Sequence, residues 1–332
     1  MSHLRYTIKR LLQAIPVLLG ITSITFLLIN AMPGSPVEVM LGPTASEELI
    51  AAAEDRYGFN EPIHVRYVKY IFAALGGDLG RSIHYGVPVT TKILERLPVT
   101  LLLLASSFAF ALSVAIPLGI VSARRRNQPV DHGSRVVSLI GVSTPNFWIG
   151  LLLIIVFGYH LQVLPSNGLV MPLSPISEVE GATSRIDVLV QTAKSLIMPT
   201  VALGTLQMAA VSRIERSSML EVLGRDYINL ARAFGVKESV ITRKHAFRNA
   251  QLPVVTIIGL QLTSALGGAV LTETVFNING MGRLIIQAVR TQDYALIMGT
   301  TLFFGVMFVI GTLLTDLTYA YLDPRVTYEG ED

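Results

Sequence analysis

Apolar and polar stretches alternate along this chain on the scale of a bilayer. Residues 11–32, LLQAIPVLLGITSITFLLINAM, carry no charge and are long enough to cross a hydrocarbon core of about 30 Å. Further apolar blocks cover 97–123, 136–164, 254–272 and 296–322, and a shorter one, 195–211, carries Pro199. Together they predict six transmembrane helices and an all-α membrane protein. Between 33 and 96 lies a mostly polar stretch, too long for a simple connector. Inside it, Ser46 as a cap, Glu47 and Glu48 behind it and Gly58 as a stop predict one helix, and HVRYVKYIFAALGG predicts a second.

Charge gives these spans a direction. His3, Arg5, Lys9 and Arg10 precede the first span and place the N-terminus in the cytoplasm. A signal peptide shares the basic start, but this apolar run is too long and no small-x-small cleavage site follows. Arg124, Arg125, Arg126 and Arg135 make the next short loop basic, hence cytoplasmic. If 195–211 did not span, the loop 213–252 would lie outside. That loop holds eight basic residues against four acids, so it belongs inside and the block spans. The expected organisation is then a cytoplasmic N-terminus and first span (1–32), an extracytoplasmic segment (33–96), a five-helix core (97–322) containing the loop 213–252, and a cytoplasmic tail (323–332).

The polar interruption at 223–253 carries a helix of its own. Tyr227, Leu230, Ala231 and Phe234 recur at i, i+3, i+4 and i+7 and draw one apolar stripe, with Arg225, Asn229 and Arg232 on the other side. Gly235 stands where a helix stops on a residue of positive φ. A helix this short is below the roughly 12–15 residues that are stable alone in water, so its stripe must dock on something.

Here a resemblance becomes specific. The run Ala231-Arg-Ala-Phe-Gly235, followed by Lys244-His-Ala-Phe-Arg-Asn-Ala-Gln-Leu-Pro253, resembles the cytoplasmic "EAA" loop of permease subunits in binding-protein-dependent ABC importers, in its dipeptide/oligopeptide/nickel variant. The leading Glu-Ala-Ala of that family is Asn229-Leu230-Ala231 here. The likeness extends through Gly77-Asp-Leu-Gly80-Arg-Ser82 with Pro88-Val89, through Ser143-Thr-Pro-Asn146-Phe-Trp148, through Glu273-Thr-Val-Phe276 to Gly282-Arg283, and through Asp293-Tyr294 and Asp323-Pro324-Arg325. Asn279 stands where the family usually has Pro.

The resemblance implies a type I importer permease fold, a multi-pass protein of the cytoplasmic membrane. Arg225, Asp226, Tyr227, Leu230, Ala231, Arg232, Ala233, Phe234 and Gly235 would form the helix that couples to an ATPase. It further implies a second, homologous permease completing a heterodimer, two ATPase subunits that carry ATP and Mg, and an extracytoplasmic substrate-binding protein. The implied cargo is di- or oligopeptide, with nickel, glutathione and oligosaccharide as alternatives within the family.

Two places in the spans carry candidate pathway chemistry. Pro145 removes a backbone donor and frees a carbonyl, which is tolerable in a membrane where neighbouring helices or a water-filled path satisfy it. Asn146 beside it either lines such a path or bonds a neighbouring helix. Glu273, at an outer helix end, could line the path; snorkelling or pairing near the interface is the plainer account.

The composition, 51% hydrophobic and 15% charged, argues against a soluble domain of this length. With no cysteine there is no disulfide framework and no thiolate metal site. The six histidines lack metal-ligand spacing, and no G-x4-G-K-[ST], H-E-x-x-H or G-x-S-x-G occurs. The chain is therefore expected to be no enzyme, to bind no cofactor itself and to contact membrane lipid rather than nucleic acid. A secondary transporter driven by an ion gradient would more often show mid-span carboxylates and inverted repeats, and neither is evident. A scaffold subunit would not need a proline-interrupted span together with a docking helix.

Overall fold

The computed structural model describes residues 3–31, 37, 41–42 and 45–322. Asp323-Pro324-Arg325 and the tail lie outside the described residues. The elements are α1 (His3–Asn30), α2 (Glu47–Tyr57), α3 (Ile63–Leu75), α4 (Val89–Arg124), α5 (Pro129–Ser143), α6 (Asn146–Leu153), α7 (Arg185–Leu223), α8 (Asp226–Ala233), α9 (Phe247–Val275), α10 (Met281–Arg290) and α11 (Tyr294–Leu322). Short π-helical stretches follow at Ile154–His160 and Ile241–Ala246. Among the described residues β pairing is limited to one antiparallel bridge, Arg81 with Pro88.

Among the described residues four helices are long and apolar enough to cross a membrane, lying in α1, α4, α7 and α11. The number reaches six if two bent pairs each count as one span: α5 with Asn146–His160, bent by 103°, and Glu238–Leu262 with Ala265–Val275, bent by 50°. The stretch 136–164, expected as a span interrupted at Pro145, is broken there. Pro145 is the cause, since it has no N–H to give and sits at φ −61°, ψ 136°, outside the helical region, where it caps α6. The block 195–211, weak in the sequence, is the middle of a 39-residue helix. Two-thirds of its apolar window (67%) is buried, against 22% for α1, so protein rather than lipid surrounds it and small or polar residues are tolerated there.

The chain divides into two compact units. The first joins Met1–Pro98 with Asn279–Ile310. Asn279–Ile310, within the stretch expected as the five-helix core 97–322, thus pack with the N-terminal segment. The core of this unit brings Phe26 and Ile29 of α1 together with Val89 and Ile93 of α4, Met281 and Leu284 of α10, and Leu296 of α11. Asp293, 1% exposed, clasps the unit. It accepts from Ser82 Oγ at 2.5 Å, from the His84 N–H at 3.0 Å and, by its other oxygen, from the Leu296 N–H at 3.1 Å. One carboxylate thereby caps α11 and holds the Gly77–Ser82 turn. The expected helices in 33–96 both form: Ser46 accepts from the Leu49 N–H at 3.3 Å to start α2, and Gly58 ends it at φ 72°.

The second unit comprises Val99–Ile278 and Gly311–Asp332. Within it α7 is central, packed against α5, α6 and α9. Contacts are close because glycine faces bulk: a Cβ on Gly204 would lie 2.8 Å from Phe110 and from the Ser107 carbonyl, and one on Gly119 would lie 2.6 Å from Glu215. Helix association without a hydrophobic driving force depends on such close approach.

Candidate functional site

The loop after α7 is built as a stiff platform carrying one short helix. Asp131, fully buried in the first turn of α5, receives a bidentate pair from Arg216 of α7, Nε to Oδ1 at 2.6 Å and Nη2 to Oδ2 at 2.9 Å. Ser122 Oγ and the Asn127 N–H also donate to it, at 2.6 and 2.9 Å. The basic connection between α4 and α5 is thereby locked onto α7. Next to it Glu215, also fully buried, accepts from Gln251 Nε2 of α9 at 3.0 Å. The Asp131–Arg216 pair is bidentate and half sheltered from solvent, so this contact resists displacement where the loop is tethered.

On this platform α8 spans Asp226–Ala233, with Asp226 in its first turn and Arg232 in its last, both favourable to the helix dipole. It ends as expected at Gly235, φ 75°, in a Schellman arrangement: the Val236 N–H reaches the Ala231 carbonyl at 3.1 Å and the Gly235 N–H the Arg232 carbonyl at 2.9 Å. Ile228, fully buried, anchors the helix to the chain. Arg232 works from the same side, donating to Glu238 Oε1 at 2.7 Å and to Asn229 Oδ1 at 3.3 Å. The expected stripe faces outward instead, with Tyr227 44%, Leu230 58% and Phe234 80% exposed. Asn249 Nδ2, donating to the Tyr227 hydroxyl at 3.2 Å, steadies one end of it. Beside α8 a cavity of about 450 Å³ is lined by Arg124, Arg126, Leu223, Arg232 and Glu238.

The expected pathway residues make separate contacts. Pro145 makes the corner between α5 and α6, and Asn146 follows it with its amide nitrogen against Gly268, where a Cβ would lie 3.2 Å away. Asn146 Oδ1 is buried and has no hydrogen-bond partner among the described residues. Glu273 is fully buried and accepts from Thr100 Oγ1 at 2.6 Å. Gln207, 2% exposed on α7 and with Oε1 unpartnered among the described residues, was missed, because one amide in a long helix leaves no sequence pattern. Asp131, Arg216 and Ile228 were missed for the same reason. Their only signal is a carboxylate and a guanidinium placed against apolar blocks.

These features define a multi-pass helical membrane protein with a helix held out from its loop. Residues 115–328 match the family model described as "Binding-protein-dependent transport system inner membrane component", and residues 3–105 match that of its N-terminal part. The chain belongs to this family of inner-membrane transport components. It is 41% identical over 332 residues to the dipeptide transport system permease protein DppB of Alkalihalophilus pseudofirmus, covering 98% of this chain and 100% of the relative. It is 40% identical over 324 residues to the oligopeptide transport system permease protein AppB of Bacillus subtilis, covering 97% and 99%. Against the DppB of Escherichia coli K12 the identity is 37%, covering 98% and 99%. The fold is similar to that of the MetNI methionine ABC transporter in inward-facing conformations, with a TM-score of 0.53 at 18% identity over 70% of this chain and 97% of that one.

Proposed function

We propose that this permease subunit forms half of the path by which an ATP-driven importer admits di- or oligopeptides, and that α8 is its coupling helix. The observation that carries the reading is the outward apolar stripe of Tyr227, Leu230 and Phe234 on a helix whose other side is fastened to the chain. Such a helix transmits displacement, because what presses on the stripe presses through Ile228 and the Asp131–Arg216 lock into α7. Two ATPase subunits, which supply ATP and Mg, receive one such helix each from this chain and from a homologous second permease. To swing the pair from 1:99 to 99:1 between inward and outward openings, ATPase closure must supply about 5.5 kcal/mol.

Both termini and the loop 213–252 then lie in the cytoplasm, the segment 33–96 faces an extracytoplasmic binding protein, and the chain itself needs no nucleotide site. The corner at Pro145 with the unsatisfied Asn146 oxygen is the candidate wall of the path, where water or a passing peptide amide meets that oxygen. The names of the relatives, all peptide permeases, favour peptide over nickel, glutathione or oligosaccharide. The test is gentle purification of a tagged chain from its own membranes. Co-elution with a second permease and two ATPase subunits, with ATP hydrolysis stimulated by a peptide-loaded binding protein, is the expected result. A chain that elutes alone and moves solute on an ion gradient overturns it.

A further inference from the structure

The first unit contains a cavity of about 620 Å³, in the range of small-ligand pockets, that the coupling machinery does not use. Its walls are aromatic: Phe59 of the α2–α3 connection meets Tyr294 edge to face at 5.9 Å, and Phe26 of α1 stands on the same wall. Three cations reach it, and two of them are occupied. Lys69 pairs with Glu61, at 2.5 and 2.7 Å to the two oxygens, and Arg81 Nη2 donates to the Gly86 carbonyl at 2.6 Å. Arg66 is the third. Its guanidinium lies over the rings of Phe59, 4.9 Å from the centroid, and Phe26, at 6.0 Å, and is neither hydrogen-bonded nor ion-paired among the described residues. The same cavity is lined by Tyr70, whose buried hydroxyl has no hydrogen-bond partner among the described residues.

A half-buried guanidinium resting on two ring faces without a hydrogen bond, beside an orphaned phenol, is a costly arrangement without an acceptor. Burial lowers the pKa of Arg66, with Tyr294 and Glu61 acting in the opposite sense, and burial raises that of Tyr70, so the phenol remains a donor. Both groups can donate, and the guanidinium can do nothing else, which favours an anion with two oxygens. The aromatic walls select an apolar body attached to it. We infer that this cavity binds the terminal carboxylate of a short peptide, through Arg66 and Tyr70, with the adjoining side chain against Phe59 and Tyr294. The inference rests on the peptide-importer reading only for the source of the carboxylate. It adds to the permease a reception site of its own.

The experiment uses the assembled transporter in phosphatidylcholine nanodiscs, without binding protein or nucleotide, and titrates fluorescent Ala-Ala-Phe and its C-terminal amide. The free acid is expected to bind about tenfold or more tighter than the amide, a difference that Arg66→Gln abolishes and Tyr70→Phe reduces several-fold. Because acid and amide are compared on the unaltered protein, the result stands even if a variant folds poorly. Equal binding of acid and amide overturns the inference. So does an Arg66 dependence seen only in association of the binding protein, which would assign the cavity to one of that protein's carboxylates. Import assayed in parallel keeps the readings apart: acid-selective binding without peptide import sinks the transport reading, and import without acid-selective binding sinks this site.

Discussion

Two short amphipathic helices, α8 and α10, have been treated oppositely by the fold. In α10 the apolar face is spent within the chain: Met281, Leu284 and Ala288 are all buried against α1, α4 and α11. In α8 only Ile228 is buried, and the apolar stripe is left open. Helices this short are unstable alone, so each requires packing, and α8 obtains it from one isoleucine and from an Arg232–Glu238 pair on its polar side. Amphipathicity therefore tells that a helix docks, but not which side docks on its own chain. The apolar face left outward on a helix that is otherwise secured is what the proposed coupling role rests on.

The sharpest way to break this comparison is truncation of each face. Leu284→Ala is expected to destabilise the chain by about 2–5 kcal/mol, the usual cost of a cavity in a packed core. Phe234→Ala should leave thermal stability within about 0.5 kcal/mol, as for other exposed positions. The same Phe234→Ala should weaken association with the ATPase subunits about tenfold, since interface aromatics are frequent anchors. Equal loss of stability in the two variants would erase the distinction.

A smaller effect is expected at the helix stop. A Cβ at Gly235 meets nothing within 4 Å, so only its φ of +75° resists substitution. Gly235→Val should cost about 1–2 kcal/mol of local strain and cut transport while the protein still reaches the membrane. Gly235→Asn, which tolerates that φ, should retain most of the uptake. Normal uptake by the valine variant would remove the stop from the mechanism.

The smallest effect concerns Arg232. Since it pairs with Glu238 inside the loop, Arg232→Glu should act by repelling Glu238 and loosening α8. ATPase association should then fall a few-fold at low salt and recover as ionic strength rises and screens the repulsion. A loss that grows with added salt would instead point to a direct ionic contact with the partner.

Much of the fold was legible because its signals are local. Charge-free blocks fix spans, and Gly58 and Gly235 stop helices by a conformation that other residues avoid. The stripe on α8 needs only a period of 3.6. Other features were out of reach because they join distant residues. Nothing near Ser82 announces that Asp293, 211 positions away, will accept its hydrogen bond. Nor does a carboxylate in an outer turn give any sign of the Thr100 hydroxyl, 173 positions away, that meets Glu273.

The sequence by itself determined that this is a helical membrane protein, where its chain turns polar, and that one helix in the basic loop must dock. These follow from transfer of side chains into hydrocarbon and from backbone preferences, which act residue by residue. Only the tertiary structure decided that the 136–164 stretch bends by 103°, that 279–310 packs with the N-terminal segment, and that the stripe on α8 faces away from its own chain. The reason is that burial is a property of neighbours, and neighbours are chosen by the packing of the whole chain.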